Sequence, residues 1–490
     1  MVCKGYEANY YPITLQTQRV GAKMAKNTIS SAKSKTFIDR VEITTDTLTG
    51  RGGLSLFVRY LRGIGLYPQL ETFFGSIRRS RKGQPISEVF KQLFCFFMDG
   101  TSRHLVHFDA LCRDGGYAGA IESKPAAMLS SHAVKRFFRS FWWPRIYLFR
   151  HLLQRLFLWR LRLHKPAVVM LGIDTMVMDN DEARVRHGVR PTYKRVKGFQ
   201  PLQMTWENVV VDAVFRRGDA HSNNGDSAQK MVGHIVAKIR KHYRAEVPII
   251  VRMDSGFFDQ KLFDVCEHLK IGYICAGKLY EPVKNYAQSA QPGQWGRCEQ
   301  GRQVWQYLDF GSRCKSWKRF RRAIFCRPLY EDAQMLLSFA RPDTVLYTNL
   351  GMGEPVDARL LEAGRSDLLQ PQAIIAAYHG RGSDELVHRA LKDFGFEQLP
   401  FKRFAPNAAF YYTMLVAFFL CESFKQDVCA PVLSPVCYAS TLRRRIIDIA
   451  VKIVRHGGRI VLKITAATCE QLNFFLLWKR SLSPPPYRWA

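Results

Sequence analysis

Three acidic residues occupy places in the sequence from which carboxylates can do metal-dependent chemistry. Asp174 and Asp254 each close an apolar run typical of a buried strand, AVVMLGID and PIIVRMD. Open α/β sheets present their functional groups at such strand ends. Glu385 follows 131 residues after Asp254, so the three carboxylates can meet only through folding. Acids at strand ends also serve as caps or turn formers, and this second interpretation stays open from the pattern alone.

The segment YHGRGSDELVHRALK around Glu385 combines an acid with cations and a phenol. Four of its residues, on one continuous helix at about 100° per residue, would share a stripe roughly 60° wide. They are Tyr378, Arg381, Glu385 and Lys392. Asp384 lies off this stripe and is excluded as a catalytic acid. A solvated amphipathic face is the alternative. Gly380 and Gly382 also allow a helix that begins only near Ser383, with Tyr378 and Arg381 placed by the loop before it.

The elements that must position these residues alternate between strand and helix from 166 to 277. Apolar runs predict strands, and helical periodicity predicts helices between them. The strands are Ala167–Asp174, Asn208–Phe215, Pro248–Asp254 and Ile271–Cys275, and the helices are Ser227–His242 and Phe257–Leu269. This alternation predicts an α/β domain built on a mixed sheet. Residues 278–364 read as a mainly β insertion, and the α/β pattern resumes over 365–425 with a helix at Pro371–Phe394.

The chain before residue 166 lacks this alternation of strands and helices. Residues 1–36 are polar and basic and predict a flexible tail. Residues 37–165 show helical periodicity and predict an all-helical domain. Its candidate helices are Gly53–Leu66, Ser87–Met98, Arg103–Cys112, Ser131–Phe141 and Trp143–Leu163. The last 65 residues, 426–490, form a C-terminal region with a basic stretch at 443–463.

One of these candidate helices concentrates positive charge. Lys135, Arg136 and Arg139 follow the plausible N-caps Ser130 and Ser131. A helix of this kind can enter a DNA groove, so the three cations are candidate DNA-binding residues. An ordinary solvated basic face is the alternative interpretation.

The overall charge indicates a polyanionic partner. Lys and Arg number 73 against 41 Asp and Glu, which gives a formal charge of +32. Nucleic acid is the partner this balance favours. The apolar stretch Ala408–Cys421 is shorter than the roughly 20 residues of a membrane span and predicts a buried helix. No secretory signal or metal-binding cysteine pair is found, so we expect a cytoplasmic protein that binds no membrane.

These motifs resemble a known family. The pattern Tyr378-x2-Arg381-x3-Glu385-x6-Lys392 is similar to the Y-R-E-K signature of bacterial insertion-sequence transposases with a DDE catalytic triad. The sequences GID at Asp174, DSGFF from Asp254 and YHGRG before Glu385 most resemble the group named after insertion sequence 1380. The resemblance also covers a GGL element at Gly52 and an NAA element at Asn407. It implies an RNase H-like catalytic core, with the β insertion before its last acidic helix and the helical domain binding DNA.

The resemblance implies a metal-dependent mechanism. Two Mg²⁺ ions, replaceable by Mn²⁺, would be held by Asp174, Asp254 and Glu385, with Asp174 bridging both. Tyr378, Arg381 and Lys392 would contact phosphates at the transposon end. Trp295, Trp305 and Trp317 lie among cations in the insertion, where one could stack on a displaced base or all could be core residues.

The function expected from this resemblance is cut-and-paste transposition. The partners would be double-stranded DNA, at the terminal inverted repeats and at the target, bound by a homodimer near the bacterial nucleoid. An RNase H-like nuclease without strand transfer is one alternative. A transposase-derived DNA-binding repressor, with acids kept for structure, is the other.

Overall fold

The computed structural model describes residues 38, 40–77, 83–183, 185–222, 224–300, 303–329 and 343–485. The predicted flexible tail, 1–36, lies outside these residues. Contacts divide the chain into two units, 1–45 and 46–490, and the second contains every helix and strand named below.

The helices account for the positions where apolar residues recur at helical spacing. They are α1 Leu54–Gly63, α2 Leu66–Phe74, α3 Ile86–Asp99, α4 His107–Leu111, α5 Gly115–Ala120, α6 Ser131–Arg139, α7 Trp143–His164, α8 Ser227–His242, α9 Gln260–His268, α10 Glu281–Ser289, α11 Pro355–Glu362, α12 Pro371–His379, α13 Gly382–Phe394, α14 Phe404–Phe424, α15 Ala439–Leu442, α16 Ala466–Gln471 and α17 Phe474–Leu482. Ser130 caps α6 as predicted, since its side chain accepts a hydrogen bond from the Ala133 amide.

The strands form one large sheet and two small ones. They are β1 Thr47–Thr49, β2 Val169–Thr175, β3 Met178–Asp179, β4 Arg190–Pro191, β5 Lys197–Phe199, β6 Leu202–Trp206, β7 Val209–Val214, β8 Ile249–Met253, β9 Gly272–Ala276, β10 Gly296–Gln300, β11 Gln303–Ser312, β12 Arg321–Leu329, β13 Thr344–Thr348, β14 Val451–His456 and β15 Arg459–Lys463. The large sheet has the order β10-β11-β12-β13-β9-β8-β2-β6-β7.

The centre of the large sheet is mixed, as the alternating pattern predicts. β2, β8 and β9 run parallel to one another, with α8 and α9 as the helices between successive strands. β6 and β7 extend the sheet antiparallel from β2. The strands of the predicted insertion do not form a sheet of their own. β10 to β13 run antiparallel, and β13 pairs with β9, so they continue the same sheet.

The two faces of the sheet are covered by different cores. Neighbouring residues of β8 alternate between them, because side chains in a strand point to opposite faces. Val251 belongs to the larger core, which also contains α8, α9 and the N-terminal helices. Ile250 belongs to a smaller core with Leu346 of β13 and Ile374 of α12. The sheet is therefore buried on both sides, which accounts for its nearly continuous apolar strands.

One apolar helix, α14, lies at the centre of the larger core. It packs against α3, α6, α7 and β7. By length and composition it could cross a membrane, but 89% of its most apolar window is buried inside the protein. This burial confirms the prediction of a core helix. The NAA element acts at its start, where the Asn407 side chain bonds both the N–H and the C=O of Phe401.

The N-terminal helices are also fastened to the sheet and to the C-terminal region. Arg150 of α7 makes a bidentate ion pair with the buried Asp212 of β7, at 2.8 and 2.6 Å. β1 pairs with β14, and β15 completes a three-stranded sheet. A β-carbon on Gly53 would overlap the backbone at Ile446, so the GGL element permits this close approach.

Candidate active site

Two adjacent parallel strands place the aspartates side by side. Ile173 of β2 is paired with Met253 of β8, so Asp174 and Asp254 occupy the next position in register. Paired strands lie about 4.8 Å apart, which brings these two backbones close together. The Asp174 carboxylate accepts a hydrogen bond from the Thr175 amide at 2.7 Å. The Asp254 carboxylate accepts one from the Gly256 amide at 2.9 Å.

The third acid is presented by a helix that starts beside these strand ends. The predicted single helix Pro371–Phe394 is broken at Gly380 and Arg381, which separate α12 from α13. Tyr378 therefore lies on α12 and Glu385 in the first turn of α13. The proposed stripe on one continuous helix is wrong, and the alternative, a later helix start, is close to what is seen. An acid in a first helical turn also interacts favourably with the helix dipole.

Arg381, in the break between the two helices, joins the acids electrostatically. Its guanidinium is 3.5 Å from the Asp174 carboxylate and 3.1 Å from that of Glu385. The Arg381 side chain is 15% exposed and that of Glu385 64%. Burial by itself would lower the pKa of Arg381, but Asp174, Tyr378 and the other acids raise it above its usual value. Arg381 therefore stays charged and partly neutralises the acidic group.

The two aspartates are held in an environment that resists their ionisation. Burial raises the pKa of Asp174, and the charge of Glu385 adds to this, while Arg381 opposes it. Burial also raises the pKa of Asp254, and the charge of Asp174 is the next cause. Mutual repulsion of this kind shows that the carboxylates share one electrostatic site. A bound cation would relieve it.

A buried ion pair fixes the position of α13 against the sheet. Arg252 of β8 contacts both carboxylate oxygens of Asp384 at 3.0 Å. Thr205 of β6 donates a hydrogen bond to the same carboxylate at 3.2 Å. Gly172 of β2 leaves room for it, because a β-carbon there would overlap Asp384. Asp384 therefore serves the structure, and Glu385, one residue on, turns outward to the site.

The three acids fit a divalent cation in charge and ligand type, because hard cations prefer carboxylate oxygens. Within the described ranges, however, no three His, Cys, Asp or Glu side chains lie close enough together to hold a metal ion. The guanidinium of Arg381 stands between Asp174 and Glu385 and takes the place of a cation there. A metal bound by all three acids therefore requires the Glu385 side chain to leave Arg381.

Comparison with known proteins gives the family. A sequence model of the family described as Transposase DDE domain group 1 matches residues 33–482. The chain belongs to the DDE transposases. No curated protein matches it by sequence. Among solved structures it is similar to a piggyBac transposase synaptic complex with hairpin DNA. That match has 11% identity and a TM-score of 0.36 and covers 82% of this chain and 83% of the other.

A histidine that the sequence analysis did not single out lies beside the carboxylates of this transposase. His388 Nδ1 is 3.8 Å from the Asp174 carboxylate, and its Nε2 is buried without a hydrogen-bond partner in the described structure. Burial, and next the charge of Arg381, lower the pKa of His388 to about 4, so the ring is neutral at neutral pH. Its position three residues after Glu385, about one helical turn, could have indicated from the sequence that the two side chains lie on the same helix face.

A loop of the transposase, 192–196, is coupled electrostatically to the acids. It connects β4 to β5, and the amide of Thr192 bonds the carbonyl of Val196 at 2.9 Å. Tyr193 is 60% exposed, and its pKa is raised by burial first and then by Asp174, Asp254 and Glu385. The positive charge of Lys194 opposes the rise in the pKa of Asp174. The loop thus presents a phenol and a cation close to the site.

Other residues predicted for DNA contact do not converge on the acids. Lys392 lies two helical turns beyond Glu385 and forms an ion pair with Glu397 at 2.8 Å. Lys135, Arg136 and Arg139 lie on α6, outside the site. The proposed base-stacking role does not suit Trp305 and Trp317, which are buried in the two cores. Trp295 is half-buried, with Arg327 over its ring.

The raised pKa of Asp254 leads to a stability prediction for the transposase. Asn at position 254 keeps the oxygen that accepts from Gly256 but cannot ionise. A raised pKa means that the ionised form destabilises the fold, so the wild type loses stability as pH rises above about 4. In metal-free buffer, Asp254→Asn should melt about 1–3 °C higher than wild type at pH 7. The difference should vanish near pH 4. A lower melting temperature at pH 7 would contradict the assignment.

Proposed function

We propose that this chain catalyses metal-dependent cut-and-paste transposition, cleaving DNA at transposon ends and joining the freed 3′ hydroxyl to target DNA. The observation that carries the proposal is the register of β2 and β8, which sets Asp174 beside Asp254, while Arg381 contacts both Asp174 and Glu385 of α13. Membership of the DDE transposases supports it. The finer resemblance, to the insertion sequence 1380 group and its Y-R-E-K signature, belongs to the same proposal.

The catalytic core is RNase H-like in this proposal, and the helical region binds DNA. The order β7-β6-β2-β8-β9 supports the first part, with antiparallel strands on one side of β2 and parallel strands on the other. The acids stand at the carboxyl ends of β2 and β8, which is the usual place for a site in an open α/β sheet. The basic surface of α6 supports the second part.

Asp174, Asp254 and Glu385 would hold the divalent ions, two Mg²⁺ in this proposal, with Mn²⁺ as a substitute. Bound metal supplies neutralisation of phosphate charge and activation of the attacking oxygen. Asp174 and Asp254 are oriented for this by their backbone hydrogen bonds. Once Glu385 releases Arg381, the guanidinium can bind a phosphate oxygen instead, because Arg recognises phosphate with two donors.

Tyr378, Arg381 and Lys194 would position the cleaved strand. Arg381 and Tyr378 are electrostatically coupled to each other and to Asp254, which supports a role for both near the reacting phosphate. Lys392 would contact the duplex farther from the cut, after giving up Glu397. Phosphate contacts of this kind fix the register of the strand without reading its sequence. Because both ends of an element are joined to one target, we expect a homodimer on DNA.

A plasmid assay tests the proposal and separates it from its alternatives. The substrate is a supercoiled plasmid whose marker is bounded by the DNA ends that flank this reading frame. With Mg²⁺ or Mn²⁺ we expect breaks at both ends and products in which a 3′ end is joined to a second plasmid. Breaks without joined products would indicate a nuclease. Binding to the ends without metal-dependent breaks would indicate a repressor.

Arg381→Ala should separate strand positioning from metal binding. The variant removes a phosphate contact, so affinity for the transposon end should fall and the slope of log affinity against log salt should decrease by about 1. Metal affinity, measured by calorimetry with Mn²⁺, should not decrease, because a competitor for Asp174 and Glu385 is removed. Lys392→Ala should likewise weaken DNA binding alone.

Arg365→Ala is the matched control for Arg381→Ala. Arg365 also forms an ion pair with an acid, Asp367, but lies outside the site. Arg365→Ala should leave the affinity for DNA and the affinity for metal unchanged. Unchanged DNA affinity together with weaker metal binding in Arg381→Ala would reverse the roles proposed here.

A further inference from the structure

A cavity of about 1020 Å³ lies outside the site of the three carboxylates, none of which lines it. Its walls come from α6, the start of α7 and residues 398–406. Six cations line it and define what we term the basic groove: Arg103, Lys135, Arg139, Arg186, Lys402 and Arg403. Among the described residues that line the groove there is no Asp or Glu.

The six cations of the basic groove have no ion-pair partner among the described residues. In the part of the chain that the structure describes, none of them forms an ion pair, and Arg186 donates to an amide oxygen, that of Asn180, at 3.0 Å. Arginines elsewhere behave differently, as Arg150 and Arg252 do with their buried aspartates. Gathering six cations in one groove without direct ion pairs disfavours the folded state, so the groove fits a polyanion.

Two exposed tryptophans at the N-terminus of α7 distinguish this groove from a simple basic surface. Trp142 is 58% exposed and Trp143 47%. Trp142 is the N-cap residue of α7, and Pro144 in the first turn fixes the backbone that presents both rings. Trp143 makes an edge-to-face contact with Tyr147 and a tilted contact with Phe404, each with ring centroids 6.1 Å apart. Large aromatic rings left open beside cations are characteristic of stacking platforms for nucleic-acid bases.

We infer that the basic groove binds an unpaired stretch of a DNA strand, with its phosphates on the cations and its bases stacked on Trp142 and Trp143. In a duplex the faces of the bases are covered by stacking on neighbouring bases, so the exposed tryptophan rings could not stack on them. The inference rests on the proposed function in taking DNA as the partner. A strand-cleaving enzyme produces ends at which bases can leave the duplex.

The groove is connected to the carboxylates through one short segment. Residues 178–199 carry Arg186 at the groove and Lys194 near Asp174. The His187 amide donates to the carbonyl of Lys402 at 2.8 Å, which ties this segment to the far wall of the groove. Arg186 and Lys194 thus place one cation of this segment at the groove and another near Asp174.

Binding of oligonucleotides to the full-length protein without metal tests the inference. The probes are labelled oligo(dT) of about 12 nucleotides, an abasic strand of equal length and a duplex of equal length, within the usual range of single-strand sites. Wild type should bind oligo(dT) at least about tenfold more tightly than the abasic strand. Trp142→Ala combined with Trp143→Ala should remove that preference and leave duplex affinity unchanged. Phe at both positions should retain most of it.

The cations have their own matched control. Lys135→Ala with Arg139→Ala should weaken the binding of all three probes and reduce the salt slope by about 2. Arg365→Ala, which lies outside the groove and outside the carboxylate site, should have no such effect. Equal binding of oligo(dT) and the abasic strand by wild type would overturn the inference. So would a double tryptophan variant that binds oligo(dT) like wild type but has lost self-association, which would make the patch a protein interface.

These outcomes are independent of catalysis. A protein that passes the oligo(dT) test but never cleaves transposon ends would refute the proposed function and leave the groove assignment in place. A protein that cleaves and joins ends but shows no preference for unpaired bases would refute the groove assignment alone.

Discussion

Glu385→Gln should abolish DNA cleavage while the protein still folds and binds DNA. Gln keeps the shape of the side chain and removes the charge that would hold one metal in the proposed mechanism. Glu385 is largely exposed and its partner in the described structure is Arg381, so little stability depends on it. We expect the rate of strand cleavage in Mg²⁺ to fall by at least roughly 10³-fold, as for members of a single catalytic unit. Cleavage of a labelled transposon-end duplex under single-turnover conditions measures this.

Asp179→Asn provides the matched control for the three proposed catalytic acids. Asp179 is an exposed carboxylate a few residues beyond Asp174, so its replacement removes the same charge from the same surface. It should leave cleavage within about twofold of wild type. Asp174→Asn should behave as Glu385→Gln does, and the double variant should be hardly slower than either, because the acids act together. Normal cleavage by Glu385→Gln in Mg²⁺, with none by Asp179→Asn, would show that the acids are misassigned.

The Asp384→Ala variant should lose far more unfolding free energy than any variant at Glu385. Removing Asp384 leaves the guanidinium of Arg252 buried without its counter-charge, which typically costs about 3–5 kcal/mol. The same loss detaches α13 from β8, so cleavage should fall as a secondary effect. Urea denaturation of wild type and variant, followed by circular dichroism, measures the difference in unfolding free energy.

Arg252→Met tests whether the loss at Asp384 comes from the unpaired charge. The double variant, Asp384→Ala with Arg252→Met, should be more stable than Asp384→Ala, because no isolated charge remains buried. Equal stability of Asp384→Ala and wild type would mean that the ion pair does not hold α13. Gly172→Ala should also lower the unfolding free energy, because the added β-carbon would overlap Asp384.

The α/β pattern of the fold is predictable from the sequence because its elements have strong periodicity. α8 matches the predicted bounds, and β2, β8 and β9 match within a few residues. The strand β6 was missed because the bulge between Met204 and Thr205 and its polar residues interrupt the apolar pattern. Pairing of β1 with β14 was also missed, since no local pattern reports contact between segments 400 residues apart.

The positions of the acids at strand ends were predictable from the sequence, but those of the residues around the break between α12 and α13 were not. Asp174 and Asp254 follow apolar runs that can only be strands, whereas the break at Gly380 depends on packing. Asp384 and Glu385 are adjacent acids, and their opposite roles follow from Arg252, which faces one of them from the sheet. His388 and Tyr193 stand beside the acids only because of the tertiary fold, and neither was predicted.

The central position of α14 has a consequence for how such enzymes can change their DNA specificity. The helix fills the space between the N-terminal helices and β7, so both sides share one set of buried side chains. A hybrid that takes residues before β2 from one relative and the rest from another would join mismatched halves of a single interior. New recognition of DNA ends is then expected to arise by surface substitutions on helices such as α6, and not by exchange of whole modules.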